Sequence, residues 1–79
     1  MIKMDKALVL LKLEPDSEAT PLERVRKISG VLEAHFLYGP YDAYVLIEAL
    51  NSGILQKIVI EKIRQVDGIR STLTCFVAE

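Results

Sequence analysis

The sequence predicts an α+β protein of order β-α-β-β-α-β, and three observations carry that prediction. Apolar runs of strand length occur at 7–13, 31–38, 44–47 and 69–77. Two segments, after Thr20 and after Asn51, repeat apolar residues at helical spacing. Gly39-Pro40 marks a tight turn that joins the two middle strands directly. Its 79 residues make one domain, 1–79, of a size at which a single core is only modestly stable alone.

Ala7-Leu8-Val9-Leu10-Leu11 is a continuous apolar run between Lys6 and Lys12, closed by Leu13, as expected of a strand covered on both faces. The polar stretch 14–19, with Pro15, reads as the loop that follows. Thr20 can cap the first helix, Pro21 takes its first position, and Glu23 completes a capping box. Leu22, Val25 and Ile28 then form one narrow apolar stripe, and Gly30 ends the helix because a left-handed residue there costs glycine least. Strands 31–38 and 44–47 flank the hairpin turn. Asn51-Ser52-Gly53 offers a cap for the second helix, whose apolar face carries Leu55, Ile58, Val59, Ile63 and Val66. Ile54 and Ile60 fall off that stripe, which implies a contact beyond the helix's own sheet. Asp67-Gly68 ends it, and the last strand alternates Thr72, Thr74 and Phe76 on one face with Leu73, Cys75 and Val77 on the other.

This order is the split βαβ arrangement of ferredoxin-like folds, a four-stranded antiparallel sheet. Right-handed crossovers place both helices on one face of it. The first and third strands are too apolar for the opposite face to stay bare. The expected remedy is a homo-oligomer, most simply a two-fold dimer with sheets packed face to face in the manner of a dimeric α/β barrel.

The chain is 51% hydrophobic and 27% charged with net charge -1, a globular balance without the basic stripe of a nucleic-acid binder. A lone cysteine, the lack of a secretory signal and the lack of a membrane-length apolar run make a cytoplasmic protein the default, with no membrane contact. One histidine, no metal-ligand spacing and no phosphate-cradling glycine loop argue for no cofactor, no metal and no enzyme.

The run Gly30-Val31-Leu32-Glu33-Ala34-His35-Phe36, followed by Tyr38-Gly39-Pro40-Tyr41-Asp42-Ala43-Tyr44-Val45-Leu46-Ile47-Glu48-Ala49, resembles the effector domain of the Lrp/AsnC transcriptional regulators. That domain is called RAM, for regulation of amino-acid metabolism. Ile63-Arg64 and Gly68-Ile69-Arg70-Ser71-Thr72-Leu73-Thr74 resemble its ending, so the likeness spans essentially the whole chain. Nothing like the family's helix-turn-helix fits before Ala7, so the chain resembles stand-alone versions of the domain, and direct DNA binding is not carried over. The resemblance implies a free amino acid as effector, bound between dimers of a ring of four or five dimers, an octamer or a decamer. Full-length Lrp/AsnC-type regulators are the implied partners. In that frame Asp42 takes the ligand ammonium by a charge-assisted hydrogen bond. Gly39 lets backbone approach the ligand, Thr72 and Thr74 donate hydroxyls to its carboxylate, and Tyr41 and Leu37 line the side-chain pocket.

Other readings of the same residues stay open. Asp42 can serve as a turn residue bonded to local backbone, and Thr72 and Thr74 as plain strand formers. Cys75 reads as a small buried hydrophobe. Dimeric barrels of this architecture include isomerases and cofactor-free monooxygenases, for which His35 with a tyrosine would be the acid-base pair. A purely structural co-assembly partner is a third reading.

Overall fold

The computed structural model describes residues 3–15 and 20–78; the expected loop residues 16–19 lie outside them. Strands β1 (Asp5–Leu13), β2 (Val31–Phe36), β3 (Ala43–Ala49) and β4 (Ile69–Phe76) pair antiparallel in the order β2-β3-β1-β4. Helices α1 (Thr20–Arg26) and α2 (Ser52–Lys57) complete the ferredoxin-like chain that the sequence predicts.

One face of the sheet makes the core. Ala7, Val9 and Leu11 of β1 and Ala43, Val45, Ile47 and Ala49 of β3 are buried in one cluster with Leu22 and Val25 of α1 and with Leu55, Val59 and Ile63. Since alternate strand residues share a face, both helices cover the same side.

The strand ends differ from the apolar runs for local reasons. β1 starts earlier because Asp5 and Lys6 still pair with Ala49 and Glu48. β2 stops at Phe36, short of 38: the last bond across the hairpin is Leu37 N–H to Asp42 C=O at 2.9 Å, and Tyr38 turns fully into solvent. After α1 the chain tightens through i→i−3 bonds, Lys27 to Arg24 and Ile28 to Val25, and turns at Gly30 with φ 96°. A Cβ on Gly30 would meet Ile58 Cδ1 at 3.0 Å and Glu48 O at 3.1 Å, so this turn needs glycine for space as well as for φ.

Asn51 caps α2 as expected, its Oδ1 accepting from Ile54 N–H at 3.0 Å. The helix then departs from the regular pattern. Ile58–Ile63 is a π-helical turn, closed by Arg64 N–H to Val59 C=O at 2.9 Å. The wider turn keeps Leu55, Val59 and Ile63, spaced four apart, all facing the sheet. Ile58 and Val66 pack at the edge of the core, and Ile54 and Ile60 are exposed.

The other face is uncovered among the described residues. Leu8 and Leu10, Tyr44 and Leu46, and Leu73 and Cys75 share it by register; Leu73 is 46% exposed. The expectation of a buried Cys75 is therefore corrected: the thiol is exposed, because β4 is an edge strand and Cys75 lies opposite Leu8 on this bare side.

Candidate functional site

Asp42 closes the hairpin where β3 begins. Its N–H donates to Leu11 C=O at 2.9 Å, and its Oδ2 accepts from Leu13 N–H at 2.8 Å. It is thus more than a local turn residue: one carboxylate oxygen ties the hairpin to the end of β1, across 29 positions of sequence. The other, Oδ1, makes no hydrogen bond among the described residues, and Asp42 is exposed. Tyr41 beside it is half-buried, with Lys12 Nζ 5.7 Å from its ring centroid, within cation–π range. Gly39 has φ 134°, and a Cβ there would meet nothing within 4 Å, so open space adjoins its backbone. Leu37 is exposed. These four form one cluster at the hairpin tip.

Thr72 and Thr74 form a second cluster. They lie opposite Leu11 and Val9, which places them on the helix face of β4, half-buried. Together with Gln56, Val59, Ile60, Arg64 and Phe76 they line a groove of about 230 Å³ between the second helix and the edge strand. A groove of about 300 Å³ adjoins it, lined by Arg64, Ile69, Arg70, Ser71 and Thr72. One chain does not bring the two clusters together. β1 runs between β3 and β4, and two inter-strand spacings amount to roughly 10 Å.

Sequence reasoning missed Gln56, Ile60, Arg64 and Phe76 as groove residues. A signal was available. Gln56, Ile60 and Arg64 recur every four residues beside the apolar stripe, and Ile60 is an isoleucine that the stripe does not use.

His35 and a tyrosine do meet, on the bare face. Glu33 Oε2 accepts from Tyr44 O–H at 2.9 Å and lies 3.5 Å from His35 Nε2, and the rings of His35 and Tyr44 are 5.7 Å apart. The Tyr44 hydroxyl holds its proton above the ordinary value of 10.0, first because it donates to Glu33, then through desolvation and the nearby carboxylate charge. That shift makes Tyr44 a weaker acid. His35 and Glu33 remain 57% and 44% exposed, an open setting for acid-base chemistry. Among the described residues no group of three or more His, Cys, Asp or Glu side chains could hold a metal.

Solved structures share this small α+β architecture. FFRP-DM1 superposes with a TM-score of 0.86 at 28% identity, over 94% of this chain and 99% of that one. A Neisseria meningitidis transcriptional regulator in complex with L-Met shares the fold with a TM-score of 0.83 at 18% identity, over 95% of this chain and 50% of that one. The sequence profile of the Lrp/AsnC ligand binding domain matches residues 6–79, and the chain belongs to that family. An HTH-type transcriptional regulator of Pyrococcus furiosus is 39% identical over 71 residues, covering 86% of this chain. The chain spans about half, 47%, of that regulator's length. A homocitrate synthase of Saccharolobus islandicus is 38% identical over 73 residues, 91% of this chain and 16% of the enzyme.

Proposed function

We propose that this chain binds an amino acid or a similar small metabolite, oligomerises, and modulates transcription through partner regulators. The observation that carries the reading is the separation of two complementary clusters. A carboxylate held at Leu13 with one oxygen to spare could take an ammonium, and a groove of threonine hydroxyls and Arg64 could take a carboxylate. One chain keeps them apart, so a neighbouring copy completes the site. In the proposed assembly the bare faces around Leu8, Leu10, Leu46 and Leu73 pack as a dimer. Dimers then close into an octamer or decamer that sets the Gly39–Asp42 loop of one copy against the β4 groove of another. Leu37 and Tyr41 line the side-chain pocket. The family's description as a ligand-binding domain and the L-Met complex of the Neisseria regulator support an amino acid as ligand.

The test is a thermal-shift screen against the proteinogenic amino acids, with oligomer mass followed by light scattering. A ligand specific to the folded state raises the melting temperature with its concentration. A dose-dependent rise for one or a few amino acids, lost in Asp42→Ala, supports the sensor reading; no rise for any of them removes the amino acid as ligand. The homocitrate synthase match favours a second reading, in which the assembly acts on a biosynthetic enzyme instead of a regulator. Ligand-loaded protein would then change an enzyme's turnover and leave a regulator's DNA affinity unaltered.

A further inference from the structure

The β4 groove carries more positive charge than a neutral amino acid needs. Arg64 lines both adjoining grooves, and Arg70 lines the second with Ser71 and Thr72. Among the described residues no carboxylate lines either groove. Glu14 and Asp67 flank the turn into β4, with Glu14 N–H bonded to Gly68 C=O, yet neither pairs with Arg64 or Arg70 among the described residues.

Two separate backbone irregularities deliver these arginines. Arg64 directly follows the π-helical turn Ile58–Ile63. Arg70 is the extra residue of a β-bulge: Lys12 pairs with Ser71 and Leu13 with Ile69, so Arg70 has no opposite number on β1. A bulge gives up a ladder position and re-aims a side chain; π-turns and bulges both recur beside binding sites. Here the two flank one trough, and both arginines line it. The far end of the trough is apolar, with Val59, Ile60 and Phe76 beside the threonines.

We infer that the β4 trough is a site for a small dicarboxylate, an acidic amino acid or the 2-oxo acid that corresponds to it. This rests on the sensor reading above and names its ligand class. The threonine hydroxyls take one carboxylate, and Arg64 and Arg70 take the second, by paired N–H donors whose planar spacing matches it. A neutral zwitterion has a single carboxylate and leaves the guanidinium pair without a counter-charge. A second carboxylate supplies that counter-charge, and in an acidic amino acid the ammonium is turned toward Asp42 of the neighbouring copy. An acidic amino acid also uses Asp42 of a neighbouring copy for its ammonium; a 2-oxo acid has no such need.

Calorimetric titration of the full chain with L-glutamate, L-aspartate and 2-oxoglutarate tests this, with L-glutamine, L-leucine and L-methionine as neutral counterparts at matched ionic strength. Saturable binding of at least one dicarboxylate is expected, about tenfold or more tighter than its neutral counterpart. It should fall about tenfold or more in both Arg64→Met and Arg70→Met, and partly in Arg64→Lys, which keeps charge without the planar fork. Both arginines are exposed, so the variants should keep the wild-type far-UV spectrum. Asp42→Asn separates the two sources: it weakens the amino acids and spares 2-oxoglutarate. Binding of neutral amino acids alone would overturn the dicarboxylate assignment and leave the sensor reading standing. Binding of none would overturn the dicarboxylate assignment, and the sensor reading would then stand or fall on the thermal-shift screen. Dicarboxylate binding unchanged in the arginine variants would move the site elsewhere and overturn the inference.

Discussion

Asp42 has two duties in this account, and Asp42→Asn and Asp42→Ala pull them apart. Its Oδ2 accepts from Leu13 N–H at 2.8 Å, a bond between a backbone donor and a charged acceptor. Hydrogen bonds to charged groups contribute about 1.5–3 kcal/mol net. This one is exposed, so water can replace the acceptor when it is lost, and about 1 kcal/mol is the fitting magnitude. In Asp42→Ala the bond disappears, and for a domain of this size that loss lowers Tm by about 4–8 °C. In Asp42→Asn the amide oxygen still accepts from Leu13, so Tm should stay within about 2 °C of wild type. The proposed contact to a ligand ammonium depends on charge, which both variants lack. Thermal denaturation and calorimetry on the same samples then give a two-way pattern: Asn stable but unable to bind an amino acid, Ala both destabilised and unable to bind. An Asn variant destabilised as much as Ala would refute the role assigned to the Leu13 bond. An Asn variant that binds as well as wild type would refute the ammonium contact.

Other consequences follow from single residues. Ile63 is fully buried under the π-turn, so Ile63→Ala should cost about 2–5 kcal/mol in denaturant unfolding. Gly30→Ala must adopt φ 96° and crowd Ile58 and Glu48, a loss of roughly 1–2 kcal/mol from the left-handed conformation alone, read in the same assay. Leu73→Lys places a charge on the bare sheet face at a position 46% exposed in the single chain; it should leave the fold intact and reduce the mass seen by light scattering to that of the monomer. Tyr44 keeps its proton more tightly when folded. Its bond to Glu33 therefore stabilises fully below the ordinary tyrosine value, and that contribution is lost as pH rises through the raised folded value. Tyr44→Phe should lower stability modestly at neutral pH, where the bond contributes, and flatten the alkaline part of the profile.

The fold was legible because its signals are local and mutually consistent. The Gly39-Pro40 turn, the Asn51 cap and the Leu22-Val25-Ile28 stripe each mark an element without help from distant residues. The π-turn was not legible, because Leu55, Val59 and Ile63 fit an ordinary helix as well. The choice between them is made by the sheet beneath. Cys75 was misread for a related reason: a strand's alternation shows that two faces differ, but says nothing of which one the chain itself covers. Of the candidate site, the hairpin residues could be picked out from turn chemistry. The bond from Asp42 to Leu13 and the grouping of Thr72 and Thr74 with Arg64 could not, since both depend on tertiary neighbours far away in sequence.

The central claim is that a small metabolite meets this protein at the hairpin tip and at β4 together. Hydrogen exchange followed by mass spectrometry, with and without an equimolar pool of the proteinogenic amino acids and 2-oxoglutarate, tests it most directly, because it reports where protection is gained. The account predicts slower exchange in peptides spanning 36–44 and 69–76, with the rest of the chain little changed. Exchange that is unaltered throughout, or protection that leaves both of those segments untouched, would contradict it.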